Sequence, residues 1–275
     1  MNRVRVSLAI VAMLAVAISP TTAAPVPEKN ERQPEQKSID GFRNTPHQPA
    51  PHNKWLIHDP QRPQPPVVSP EYDGKPAPPP AGAKVLFDGR NLNGWTNQKW
   101  ELSDNAMVSR KGNQLSKEQF GDGHYHVEWM VPAGLKGFGQ KQGNSGVFIM
   151  NRYEIQVLNC WANRTYPDGM AGAVYGQTPP LANACRKPGE WQSYDIHFKA
   201  PTFKDGKLIA PAYVTVYLNN VLVQDNTEIR GPTVWRKLPK YKAHGPVGPI
   251  QLQDHGNPVR FRNVWVAPLK TKLGK

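Results

Sequence analysis

From residue 124 onward, apolar and polar positions alternate in short runs separated by clusters of Gly, Pro, Asn and Asp, the period-two pattern of β-strands. No window carries a long apolar stripe at helical spacing. The run His124 to Val131 sets Tyr125, Val127 and Trp129 on one face against His126 and Glu128 on the other. Tyr153 to Leu158 repeats the scheme, with Tyr153, Ile155 and Val157 against Glu154 and Gln156, and Tyr194 to Phe198, Tyr213 to Leu218 and Val259 to Val266 continue it. Between Tyr213–Leu218 and Val221–Val223 stands Asn219-Asn220, which predicts a tight hairpin because Asn tolerates positive φ. Short strands, Gly/Pro turns and many aromatics predict an all-β domain, an antiparallel β-sandwich of jelly-roll type. There is no internal repeat, which a propeller would need.

The chain before this domain has a different character. Arg3 and Arg5 precede an apolar run from Leu8 to Ile18 and small residues at Thr21 to Ala24, the pattern of a secretory signal peptide over residues 1–23. The run is too short to cross a bilayer, which takes about 20 apolar residues, and no later stretch approaches that length. These features predict a periplasmic or secreted protein without a transmembrane segment. Residues 24–83 hold 15 of the 29 prolines; proline fixes φ and lacks an N–H, so the stretch reads as an extended linker or arm. Trp55-Leu56-Ile57 and His58 to Val68 form a less bland patch, which either docks along the domain as an irregular arm or stays disordered. The sandwich is expected over residues 84–270. Export also bears on Cys160 and Cys185, the chain's two cysteines. An oxidising compartment favours a disulfide between them, and two separate buried thiols are the alternative.

The formal charge of +13 divides into +2 before Lys84 and +11 from there on. Scattered basic residues without a tract or a recognisable motif argue against nucleic acid. Attraction to acidic glycans or an anionic surface fits an exported chain better.

Side chains at i and i+2 of a strand share a face. Glu154-x-Gln156 therefore presents a carboxylate beside an amide, and Glu128 holds a similar place on an earlier strand. Gln251-x-Gln253-x-His255 offers two amides and an imidazole, and Arg260-x-Arg262 two guanidiniums. Such groups hydrogen-bond sugar hydroxyls and move protons beside carbonyls. The bland alternative is a solvated sheet face. No Gly-x-Ser-x-Gly elbow, Walker loop, dinucleotide fingerprint or close His/Cys cluster is present. A divalent metal held by Glu, His and carbonyl oxygens would leave no signature. Gly137-Phe138-Gly139 and Gly143-Asn144-Ser145-Gly146 read as turns bordering a pocket.

Six motifs, in order, resemble the 3-keto-disaccharide hydrolase family. They are Leu86-Phe87-Asp88-Gly89 with Leu92-x-x-Trp95; Gly143 to Phe148; Arg152 to Leu158; Ala171 to Gly176; Pro188 to Gln192; and Leu252 to Asn263. The resemblance spans about residue 84 to residue 269. It implies a concanavalin-like jelly roll that binds a glycoside oxidised at C3 of the sugar. Carried over position by position, the family's polar positions fall on Glu128, Asn144, Glu154, Gln156, Tyr175, Gln253, His255 and Arg262, of which Glu154, His255 and Tyr175 are expected to be catalytic and the others substrate-binding. It further implies a sugar 3-dehydrogenase upstream in the pathway to supply the ketone. The chain departs from the family pattern at Asn159-Cys160, where Asp-Ser is expected, and at Cys185, where a small polar residue is expected. The paired appearance of the two cysteines supports the disulfide.

A ketone at C3 acidifies the C2 proton, so that a base removes it, the C1 substituent leaves and water adds back. Glu154 or His255 is expected as the base, with the other or Tyr175 as the acid. Arg262 or a metal is expected at the ketone. Two rival readings are a non-catalytic carbohydrate-binding module of the envelope and a structural or adhesive envelope protein.

Overall fold

A computed structural model describes residues 39–269; residues 1–38, with the expected signal peptide and the start of the proline-rich stretch, and Lys270 onward lie outside the described residues. The regular structure of the described chain is almost all β, with two single-turn 3-10 helices. In chain order the strands are β1 Lys84–Phe87, β2 Glu101–Ser103, β3 Ala106–Val108, β4 Gln114–Phe120, β5 Gly123–Met130, β6 Ser145–Ile149 and β7 Tyr153–Val157. They continue with β8 Gln192–Lys199, β9 Thr202–Lys204, β10 Lys207–Ala210, β11 Ala212–Leu218, β12 Val221–Ile229, β13 Gly248–Leu252 and β14 Arg260–Ala267.

Two antiparallel sheets form the sandwich. The larger runs β12-β11-β8-β5-β14-β3-β2, with β1 also paired to β14; the smaller runs β4-β13-β6-β7. Asn219 and Asn220 both take positive φ, 53° and 67°, and close the β11–β12 hairpin in the mirror-image turn whose twist suits antiparallel strands.

Alternation fills the space between the sheets. Tyr125, Val127 and Trp129 of β5 and Tyr194, Ile196 and Phe198 of β8 meet Val147, Ile149, Tyr153, Ile155 and Val157 of β6 and β7 in one apolar core. Ring contacts cross the gap, with Tyr153 5.6 Å from Phe198, and the Tyr194 hydroxyl donates to the Gln156 carbonyl. A buried Tyr requires such an acceptor, since an unpaired hydroxyl there costs about 1–3 kcal/mol.

Cys160 and Cys185 are both buried and free, which corrects the expected disulfide. The Ala171 N–H donates to Cys160 Sγ, and burial pushes the Cys160 thiol well above its ordinary value. Oxidation starts from a thiolate, and this environment disfavours one.

Residues 39–83 form almost no regular structure, yet they lie along the sandwich. Ile57 and His58 are fully buried, Val68 N–H donates to the Asn183 carbonyl, and Gln64 Nε2 donates to the Thr165 carbonyl. A proline-rich chain cannot build a ladder of its own, and much of its backbone is satisfied by the domain instead, as where the His58 and Ala77 N–H groups donate to Asp168 and Glu128 and the Gly74 and Ala77 carbonyls accept from Arg262 and Asn263.

Candidate active-site cleft

The smaller sheet turns one face to the core and the other outward. Because Val147, Ile149, Tyr153, Ile155 and Val157 point inward, Phe148, Glu154 and Gln156 point out. A cleft of about 640 Å³ opens over them. Gln253 and His255 join from just beyond β13, Gln140 and Asn144 from the Gly-rich turn before β6, and Tyr166 and Tyr175 from the long loop after β7. Thr233 and Trp235 follow β12, and Asp40, Gly41 and Phe42 come from the proline-rich segment.

Glu154 is 4% exposed, with no side-chain hydrogen bond to hold it among the described residues. Burial pushes its carboxyl well above the usual carboxylate range, which favours the protonated form. Its place is secured by an absence of bulk: a Cβ on Gly146 would come within 2.4 Å of Glu154 Oε1. The glycine of the Asn144-Ser145-Gly146 turn thus makes room for the acid on the neighbouring strand. The Glu154 N–H donates to Thr233 Oγ1, which ties the 233–235 wall to β7.

Tyr175 stands across the cleft with its hydroxyl 3.0 Å from that of Tyr166. Burial raises its phenol, and the neighbouring carboxyls of Glu154, Asp168 and Asp40 add to the effect, so it acts as a proton-bearing donor. His58 packs behind both rings at a tilt, its centroid 4.2 Å from that of Tyr166 and 5.0 Å from that of Tyr175. Asp168, fully buried, accepts from the His58 N–H and from Gln48 Nε2, and its Oδ1 lies 3.4 Å from His58 Nδ1. The proline-rich segment is thereby locked to the loop that carries the tyrosines.

Amides complete the lining. Gln140 Oε1 accepts from both Asn144 Nδ2 and Gln156 Nε2, while its own Nε2 donates to Thr165 Oγ1 and the Gly169 carbonyl. Buried acceptors without a partner remain at Asp40 Oδ1, Gln156 Oε1 and Gln253 Oε1. In a folded protein such atoms call for a ligand that donates hydrogen bonds. No Lys or Arg lines the cleft, so the basic surface is not focused there.

Of the residues predicted from sequence, Asn144, Glu154, Tyr175, Gln253 and His255 come together here, and Gln156 lies against them through Gln140. Glu128 and Arg262 do not line this cleft. They pair across β5 and β14 on the outer face of the larger sheet, where Arg262 Nε donates to Glu128 Oε2 at 2.7 Å. Glu128 also accepts from Asn263 Nδ2 and the Ala77 N–H, Arg262 Nη2 donates to the Gly74 carbonyl, and the guanidinium lies over Trp191. His126 sits between Glu128 and Asp195; burial opposes its charge, but hydrogen bonds to both carboxylates hold its pKa above the usual imidazole value. This pair clamps residues 74–77 to the sheet.

Sequence reasoning missed Asp40, Phe42, Gln140, Tyr166, Thr233 and Trp235, all of which lie outside strands. Among the described residues no group of three His, Cys, Asp or Glu side chains is placed to hold a metal ion, and no helix is long and apolar enough to cross a membrane.

Residues 82–267 match the model of a 3-keto-alpha-glucoside-1,2-lyase-like domain. A 3-keto-disaccharide hydrolase from Bacteroides thetaiotaomicron is 23% identical over 240 residues, 68% of this chain and 79% of that protein. Among solved structures, a candidate glycosyl hydrolase from Parabacteroides distasonis is 43% identical with a TM-score of 0.68, covering 75% of this chain and 93% of the other. A second from the same organism, 21% identical with a TM-score of 0.50 over 69% of this chain and 95% of the other, bears on the fold alone.

Proposed function

The chain belongs to the 3-keto-alpha-glucoside-1,2-lyase-like family, and from that premise we propose that it cleaves glycosides whose sugar carries a ketone at C3. The observation that carries the reading is the cleft itself. It combines a buried, unpaired Glu154 with a partnerless acceptor at Gln253 and a proton-bearing Tyr175, and no Lys or Arg lines it. That is a set of partners for a neutral, hydroxyl-rich ring.

In the proposed reaction His255 takes the proton from C2, and the electron pair moves into the C3 ketone. The Tyr175 hydroxyl and the Gln253 amide hydrogen-bond the enolate oxygen, in the role first assigned to Arg262. The enolate then expels the C1 substituent, whose oxygen receives the Glu154 proton. A carboxyl raised by burial suits that donor role. Water next adds to C1 and returns a proton to Glu154 while His255 reprotonates C2, so the sum is hydrolysis. A sugar 3-dehydrogenase upstream would supply the ketone. Export remains part of the proposal, and the amino terminus of the mature protein tests it.

The test uses 3-keto-glucosides with good and poor leaving groups beside the parent glucosides, in D2O. The expected result is release from the keto compounds alone, with deuterium at C2 of the product. Glu154→Gln should slow the poor leaving group far more than the good one. Equal cleavage of the parent glucoside, or complete retention of hydrogen at C2, would overturn the elimination route.

A further inference from the structure

Three residues of the cleft, Asp40, Gly41 and Phe42, lie upstream of the matched domain at 82–267. The protein builds a specific seat for each. The Asp40 carboxyl occupies the space where a side chain at residue 139 would begin: a Cβ on Gly139 would stand 2.3 Å from Asp40 Cγ. Asp40 Oδ2 accepts from the Gln140 N–H at 2.8 Å, while Oδ1 is buried without a partner. Gly41 takes a φ of 153°, and a Cβ there would stand 2.7 Å from the His58 carbonyl, which accepts from the Phe42 N–H.

Phe42 in turn meets Trp235 edge to face at 5.7 Å, and the Arg236 guanidinium lies 4.2 Å from the Phe42 ring and donates to Asn44 Oδ1. Trp235 is nonetheless 60% exposed. The indole stands open to solvent on a cleft wall, with the Arg236 guanidinium 5.1 Å from its ring, and the Asp40 carboxyl, which burial raises above the usual carboxylate range, lines the same cleft. Together they match a saturated hydroxylated ring, whose C–H face packs on an aromatic and whose O–H groups donate. The wall joins β7 through Thr233, directly behind Glu154, the group that meets the leaving oxygen in the proposed reaction.

We infer that the segment upstream of the family domain builds a second ring subsite in the cleft. In it Asp40 Oδ1 accepts a hydroxyl of the leaving group and Trp235, braced by Phe42, takes that ring's apolar face. The assignment of the ring to the leaving group rests on the proposed function. It makes the preferred substrate a two-ring glycoside rather than a simple alkyl one.

The test compares a 3-keto-disaccharide with methyl 3-keto-glucoside in the full chain and in Asp40→Asn, Asp40→Ala and Trp235→Ala, each checked for an unchanged melting temperature. Each variant should raise KM for the disaccharide by about ten-fold, the scale of one lost charged hydrogen bond or ring contact. The methyl glycoside should be unaffected. Equal losses on both substrates would put Asp40 and Trp235 with the reacting ring, and no loss on either would remove the subsite; both outcomes overturn the inference. Should the wild type turn over neither compound, the functional reading falls but the subsite is still read separately, by tryptophan fluorescence with unoxidised disaccharide and methyl glucoside. A disaccharide-specific change present in the wild type and absent in Trp235→Phe supports the subsite, and no such change sinks it.

Discussion

Replacing Glu128 by Gln separates a structural clamp from a substrate ligand. Glu128 is fully buried and accepts at Oε2 from Arg262 Nε and at Oε1 from Asn263 Nδ2 and the Ala77 N–H, with His126 Nε2 3.3 Å away. A glutamine has one acceptor oxygen and one donating amide, so either orientation turns an N–H toward an existing donor, and Arg262 loses its counter-charge. Removing one partner of a buried ion pair costs about 3–5 kcal/mol. Arg262 keeps the Gly74 carbonyl, the Trp191 face and 17% side-chain exposure, which favours the lower end, about 3 kcal/mol. At roughly 2–4 °C per kcal/mol for a domain of this size, the melting temperature should fall by about 6–12 °C. Scanning calorimetry reads this directly. Activity at 25 °C should stay within about two-fold, since a surface clamp makes no contact in the transition state. Removing Arg262 as well, as Glu128→Gln with Arg262→Met, should recover part of the loss, because no uncompensated charge is left. An unchanged melting temperature with turnover abolished would refute the reasoning and return Glu128 to the site.

Three other outcomes follow from the same geometry. Glu154→Gln should lower kcat/KM on a disaccharide by about 10²–10⁴-fold, the range for a lost general acid. It should also stabilise the protein increasingly at alkaline pH: the raised Glu154 carboxyl makes the folded state bind the proton more tightly, so wild-type stability declines as pH rises from 4.5 through the folded value, and the variant escapes that decline. Denaturant melts at pH 5 and pH 8 check the sign. Gly146→Ala should displace the Glu154 carboxyl and, like Glu154→Gln, slow the poor leaving group far more than the good one while circular dichroism stays all-β; a variant as active as the wild type on the poor leaving group would contradict the close approach. Ellman titration without reductant should count two thiols in guanidinium and none in the native protein; zero in guanidinium would restore the disulfide.

Alternation along the chain made the sandwich legible, and with it the outward direction of Glu154 and Gln156. The same parity grouped Glu128 and Arg262 with the candidate site, whereas the structure places them on the other sheet, away from the cleft. Period two reports which residues share a face of one strand, but it does not say which sheet that strand joins or which of the two outer faces is roofed into a cleft. Strand order, β5 beside β14 and β6 beside β7, decides that, and it is set by contacts far apart in sequence. The three-residue β2 and the polar β4 carried too little alternation to announce themselves. Asp40, Phe42, Thr233 and Trp235 escaped for another reason: they stand in irregular backbone, where no period exists to assign a direction. Their only signs were Gly41 beside Asp40 and a tryptophan in a polar stretch.

The proline-rich segment has a kinetic consequence. His58 meets Asp168 across 110 positions, and Gly74 meets Arg262 across 188. Contacts of such sequence separation require the intervening chain to be ordered before they are rewarded. β1 meets β14 over a similar span, but there a ladder rewards closure with several bonds at once, whereas the segment has no ladder and leans on side chains that the sheets place; it is therefore expected to dock after the sheets close and to give the cleft its last wall. Intrinsic fluorescence of the core should recover before ligand-binding capacity in a refolding experiment, and the lag between the two would measure how long the finished sandwich waits for the first part of the chain to be made.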